Sequence, residues 1–162
     1  MSGTPISSQI SKIERGTVIT APRSRVWKAL TEIAQFGKWF STEPVHASAQ
    51  FQPGVTVRLI STYPGPCQGV EFDMEIVDMV PETLFSWRWH PGMPVPGEDL
   101  STEPMTLVEF RLEDAAGGTR VTVIETGFDK LFEHRRARVL EENEGGWKHQ
   151  VGALEQYFRD AR

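Results

Sequence analysis

The chain has 162 residues, of which 39% are hydrophobic and 24% charged, and its 17 basic against 22 acidic residues leave a net charge of −5. That is the composition of one soluble globular domain, and it excludes collagen-like, coiled-coil and wholly disordered chains. Scattered acidic charge also makes a poor nucleic-acid surface. The unusual feature is aromatic: nine Phe, two Tyr and five Trp. Each Trp is bulky and carries an N–H that must find a place.

Residues 1–11 are polar and lack the basic and apolar regions of a secretory signal, so they read as a frayed extension ahead of one domain over 12–162. Ser2 stands where N-myristoylation needs glycine. No apolar run approaches the roughly 18 residues of a membrane span. The single cysteine, Cys67, can form no internal disulfide and fits a reducing cytoplasm.

Ile13 to Ala21 is β-branched and roughly alternating, which predicts a strand ended by Pro22. Ser24 is placed to cap a helix over Arg25 to Leu30, with Val26, Ala29 and Leu30 on one face. A second short helix is predicted from Ile33 to Trp39, weakened by Gly37. Val45 to Ala49 reads as a short strand. Longer strands follow at Val55–Ser61, Val70–Val80, Leu84–His90 and Thr106–Glu113, the third with Phe85, Trp87 and Trp89 on one side of the pleat. Pro81 and Glu82 make a tight turn, and Asp114 to Gly118 is a hairpin signal into a strand over Thr119–Phe128. Pro91 to Pro104 is a loop long enough to suggest a functional role. In the last third Leu140, Asn143, Trp147, Val151, Leu154 and Phe158 recur at helical spacing and trace one face. Gly145 and Gly146 interrupt it, which suggests a kink or a close neighbour.

A strand, two short helices, a run of antiparallel strands and one long helix define an α+β fold. One helix about 10 Å wide cannot cover the concave face of a six- or seven-stranded twisted sheet. Aromatic side chains must fill the remainder, or a cavity is left under the helix.

Three stretches carry a family likeness. They are Ile13 to Phe40, with Val26-Trp27-Lys28-Ala29-Leu30 and Trp39-Phe40; Val70 to Trp87, with Val80-Pro81-Glu82 and Leu84-Phe85-Ser86-Trp87; and Thr119 to Leu154, with Glu125-Thr126-Gly127-Phe128 and Gly145-Gly146-Trp147. In this order the chain resembles the START-related helix-grip (SRPBCC) superfamily, and more narrowly the family of the activator of the heat-shock-90 ATPase. It departs in Val151, where a Leu is more usual, and in a longer Pro-rich loop. The resemblance implies a seven-stranded antiparallel sheet wrapped around the C-terminal helix, with two short helices after the first strand. It also implies an apolar ligand cavity, and in some members cyclase or hydrolase activity. The chaperone-binding domain that precedes this one in the eukaryotic activator has no counterpart ahead of Ile13.

Phe72, Met74, Trp87, Trp89, Trp147, Val151 and Leu154 are the candidate pocket residues, and they suit plain core packing equally well. Trp27 and Trp39 read as core of the short helices. His46, His90, His134 and His149 form no metal pattern, and no cofactor motif is visible. His149 lies off the apolar face of the last helix, and His90 ends a strand beside the Pro-rich loop. Cys67 lies in a turn with no basic neighbour to activate it. Asp73, Glu75, Glu109, Glu113 and Glu125 alternate with apolar residues and read as the solvated sheet face. A carboxylate turned inward would instead be a candidate acid or base.

The expected function is binding of a hydrophobic small molecule, lipid-like, polyketide-like or aromatic. One alternative is a cyclase or hydrolase on the same fold, although no catalytic motif is visible. The other is a protein-interaction module whose partner is a chaperone or a second copy, which predicts a large exposed apolar patch.

Overall fold

The computed structural model describes residues 11–161. The polar N-terminal stretch read from the sequence therefore lies, but for its last residue, outside the described residues. Strands β1 (Lys12–Ile19), β2 (Thr42–Pro44), β3 (Thr56–Ser61), β4 (Glu71–Val80), β5 (Leu84–Trp89), β6 (Thr106–Ala115) and β7 (Gly118–Thr126) form one sheet in the order β1-β7-β6-β5-β4-β3-β2. Every neighbouring pair is antiparallel. Helices α1 (Arg23–Thr31) and α2 (Ile33–Phe40) follow β1, and the long α3 (Glu133–Asp160) lies over the sheet. The α+β helix-grip architecture is as the sequence implied. Among the described residues no helix is long and apolar enough to cross a membrane.

Local chemistry sets the boundaries. Pro22, with its fixed φ, caps α1, whose first turn bonds back to the Pro22 carbonyl from Arg25 and Val26. Ser24 lies inside that turn and caps nothing, contrary to the expectation. Val26, Ala29 and Leu30 are the buried face. Gly37 of α2 is required by a close approach, because a Cβ there would collide with the Thr42 carbonyl where the chain doubles back into β2. The short strand is thus Thr42–Pro44, paired with β3, and not Val45–Ala49. After Pro44 the chain turns, with Ala49 N–H bonded to the His46 carbonyl.

The β6–β7 hairpin closes at Ala115↔Gly118 across Ala116 and Gly117. Gly117 has φ 84°, as a tight hairpin demands. β7 ends at Thr126, earlier than expected, because Gly127 turns at φ 104° into a short 3₁₀ segment over Phe128–Lys130.

Alternation along the strands decides which face is inward. Phe85 and Trp87 on β5, Val108, Phe110 and Leu112 on β6, and Val121 and Val123 on β7 are all buried. Phe36, Phe85, Trp87 and Phe110 form a continuous aromatic layer, with Trp87 stacked on Phe110 at 5.6 Å and edge-on to Phe36 at 6.1 Å. Trp87 is fully buried and its indole N–H has no partner among the described residues. Burying roughly 150–250 Å² of aromatic surface stabilises by about 4–6 kcal/mol, which outweighs the ~1–3 kcal/mol of one orphaned donor. Helix α3 buries Val139, Leu140, Trp147, Val151, Leu154 and Phe158, and Trp147 meets Trp87 and Phe110 of this layer. Gly145 and Gly146 mark no close neighbour: α3 is one continuous helix through them, and a Cβ at either position would meet open space.

Candidate functional site: a cleft between helix and sheet

The β4–β5 ladder runs from Glu75↔Arg88 to Val80↔Leu84. It shifts register between Ile76 and Met79, where the Asp78 N–H is taken up by Ser86 Oγ at 3.0 Å. Beyond Glu75, the start of β4 pairs with β3; beyond Arg88, Trp89 pairs with Thr106 of β6. The strands therefore part, and a cleft of about 590 Å³ opens there. Phe40, Phe72, Trp89 and Trp147 line its inner end. Residues of the outward row, Asp73, Glu75, Arg88 and His90, line its mouth, so it reaches through the split to the other face of the sheet. Asn143, Gly146 and Gln150 of α3 and Pro91 to Pro94 of the long loop complete the wall.

The floor is aromatic. Trp89 and Trp147 stack with centroids 5.9 Å apart and planes 26° apart. Phe72 meets Trp89 edge-on at 5.9 Å, and Phe40 meets Trp147 at 6.1 Å. Both indoles are fixed from behind by one buried carboxylate. Glu125 is completely buried. Its Oε2 accepts from Trp89 Nε1 at 2.8 Å and Thr106 Oγ1 at 2.6 Å. Its Oε1 accepts from Trp147 Nε1 at 2.7 Å and Asn143 Nδ2 at 2.9 Å. Indole N–H and amide NH₂ can only donate, so Trp89, Asn143 and Trp147 all direct their donors at this one carboxyl group. The cluster joins β5, β6, β7 and α3 at one point and sets the orientation of the two stacked rings.

Of the sequence candidates, Phe72, Trp89 and Trp147 line the cleft. Met74, Trp87, Val151 and Leu154 are packed in the core, and none is among the lining residues. Glu125 corrects the expectation of a solvated face for all five acidic residues. It shares the parity of Val121 and Val123, and that signal was present in the alternation. Asn143 completes the apolar stripe of α3 by meeting Glu125, which explains a polar residue at that position. His149 is exposed, with its ring edge-on to Tyr63 at 4.9 Å. Cys67 is half-buried in the cleft wall, its Sγ 3.3 Å from Met93 Sδ. At the mouth, Arg58 bonds both oxygens of Asp73 at 2.8 and 3.1 Å, and those bonds hold the Asp73 carboxyl below its ordinary value.

The Pro-rich loop is pinned, not loose. Glu103 and Arg135 are both buried. Arg135 Nε donates to the Glu103 carboxylate at 3.0–3.1 Å, and its Nη2 donates to the Pro91 carbonyl at 2.7 Å. Glu103 also accepts the Phe132 N–H at 2.8 Å. Glu98 accepts from exposed His134 at 3.1 Å; that bond, with Arg135 nearby, lowers its pKa. Further along, Glu142 accepts the Met93 N–H at 3.1 Å. Both ends of the loop are thus tied to the first half of α3, and the loop forms one wall of the cleft.

A seven-stranded sheet gripping a long helix, with a cleft left between them, defines a helix-grip domain. The chain belongs to the family described as Activator of Hsp90 ATPase homolog 1-like protein, whose model matches residues 20–159. No curated protein matches it in sequence. Among solved structures, a Mesorhizobium loti protein is similar at 20% identity and a TM-score of 0.71, covering 93% of this chain and 98% of its own. An Arthrobacter aurescens protein is similar at 14% identity and a TM-score of 0.73, covering 94% and 88%. An Aha1 from Colwellia psychrerythraea, solved as a dimer, is similar at 17% identity and a TM-score of 0.66, covering 92% and 96%. At these identities the likeness is one of fold.

Proposed function

We propose that the chain binds a small molecule with a lipid-like, polyketide-like or aromatic body in the cleft between the sheet and α3. The observation that carries this is the cleft of about 590 Å³, whose inner end is bordered by the four aromatic rings of Phe40, Phe72, Trp89 and Trp147. That volume falls within the roughly 300–1,000 Å³ of small-molecule sites. The residues that line the cleft come mainly from β4, β5, α3 and the long loop of one chain. Glu125 does not line it and holds both stacked indoles from behind, so it acts as a positioning residue.

Titration with fatty acids, flat polyketides and simple aromatics, followed by Trp fluorescence, should give saturable quenching with at least one class. Gly146→Leu is the companion variant. It places a side chain into the open space of the cleft on a helix that gains from losing glycine. Binding should weaken more than about tenfold while thermal stability holds or rises. No saturable ligand, or full binding by Gly146→Leu, would contradict the proposal.

A further inference from the structure

We infer that the ligand enters and leaves between two loops, the β3–β4 loop over 62–70 and the Pro-rich loop, and not through the split in the sheet. The inference rests on the binding function proposed above. Two boundaries of the cleft are candidates for its entrance. One is the split between β4 and β5, bordered by Asp73, Glu75, Arg88 and His90. The other is the gap between the loops, bordered by Cys67 and Val70 on one bank and by Met93, Pro94, Leu100 and Met105 on the other. The split is charged and braced. Arg58 of β3 bonds both oxygens of Asp73 on β4. An apolar body passing there would strip water from charged groups and offer nothing in its place. Widening the split would also break the strand pairing at Glu75↔Arg88.

The gap between the loops is apolar and lightly closed. Among the described residues, the backbone hydrogen bonds of the β3–β4 loop stay inside it or join its base. Gln68 N–H bonds the Gly65 carbonyl and Val70 N–H the Cys67 carbonyl, while Gly69 N–H bonds the Ser61 carbonyl and Thr62 N–H the Ser41 carbonyl. What spans the gap is side chain. Cys67 Sγ lies 3.3 Å from Met93 Sδ, a thiol–thioether contact and therefore a weak one. Tyr63, nearly half exposed, meets His149 of α3 edge-on at 4.9 Å. The far bank is anchored: Glu142 holds the Met93 N–H, and Arg135 holds both Glu103 and the Pro91 carbonyl. The β3–β4 loop therefore swings on its base while its neighbour stays fixed, and the thiol contact is the clasp that closes the gap.

The test uses N-phenyl-1-naphthylamine, an uncharged aromatic probe that brightens on leaving water, followed by stopped flow on the full chain. Cys67 is the single cysteine, so Met93→Cys supplies one partner thiol, to be joined to it by mild oxidation or by the short cross-linker dibromobimane. The joined chain should take up and release the probe more than about tenfold more slowly with its Kd little changed, because a barrier at the entrance slows both directions alike. Reductant should restore the rates of the disulfide-joined form. Cys67→Ala in the otherwise native chain should speed both rates together, whereas loss of packing alone would raise the Kd through release. Equal rates in the joined and reduced chains overturn the inference, make the split the entrance, and leave the cleft as a binding site. Failure of the two thiols to join by either route overturns it as well, since the loops would then not meet. Absence of binding by the probe, together with a negative ligand panel, overturns the binding function itself.

Discussion

Glu125→Ala is expected to lower the unfolding free energy by about 3–5 kcal/mol, measured by urea or guanidinium denaturation. Truncation leaves four donors, from Trp89, Thr106, Asn143 and Trp147, aimed at an empty space. An orphaned buried donor costs about 1–3 kcal/mol. Partial collapse and entry of water offset some of that sum, hence the lower total. Thr106→Val removes a single donor of the same cluster and should cost only about 1 kcal/mol. The carboxylate also sets the angle of the Trp89–Trp147 stack, so Glu125→Ala should weaken ligand binding even under conditions where it is folded. A loss below about 1 kcal/mol would mean that the four bonds add nothing beyond what water supplies.

The second large effect is expected at Arg135. Removing Arg135 leaves the Glu103 carboxylate buried without its ionic partner, which costs about 3–5 kcal/mol. Arg135→Ala should therefore unfold near that much more easily, and Glu103→Ala less so, because Glu98 still stands 3.6 Å from Arg135. Their joint replacement by Met at 135 and Leu at 103 should recover most of the loss, because apolar packing replaces a buried ion pair at little net cost. The same single variants free the loop, since Arg135 also holds the Pro91 carbonyl and Glu103 also holds the Phe132 N–H. Proteolysis within residues 94–97, which lie at the exposed middle of the loop, should then precede global unfolding. Additive costs in the double variant, with no faster cleavage of the loop, would contradict this account.

Both clusters show how far the sequence was legible. Strand alternation and the helical stripe were enough to give the element order and the α+β class, because they reflect burial along single elements. They did not give the split between β4 and β5, which depends on where two strands stop pairing. Glu125 read as solvated although it shares the parity of the buried Val121 and Val123, and its four donors come from β5, β6 and α3, far apart in the chain. Asn143 stood correctly in the stripe of α3, but nothing local named its partner, Glu125 on β7. The Pro-rich loop read only as long, because nothing local announces that Glu103 is buried against Arg135. Among the tryptophans, spacing put Trp87 and Trp89 on one face together, yet Trp87 fills the core and Trp89 lines the cleft. The difference arises where the sheet opens, one residue past Arg88.

The five indole N–H groups offer the most direct test of the central claim, that the space beside Trp89 and Trp147 is a ligand site. In an amide-proton NMR correlation spectrum of the ¹⁵N-labelled chain, each gives its own signal, assignable through single Trp→Phe variants. Addition of a saturating ligand should shift the signals of Trp89 and Trp147, which border the cleft. Those of Trp27, on α1, and Trp39, tied to the Ala29 carbonyl at 2.8 Å, should stay in place. Saturable binding that moves Trp27 or Trp39 and leaves Trp89 and Trp147 unchanged would contradict it.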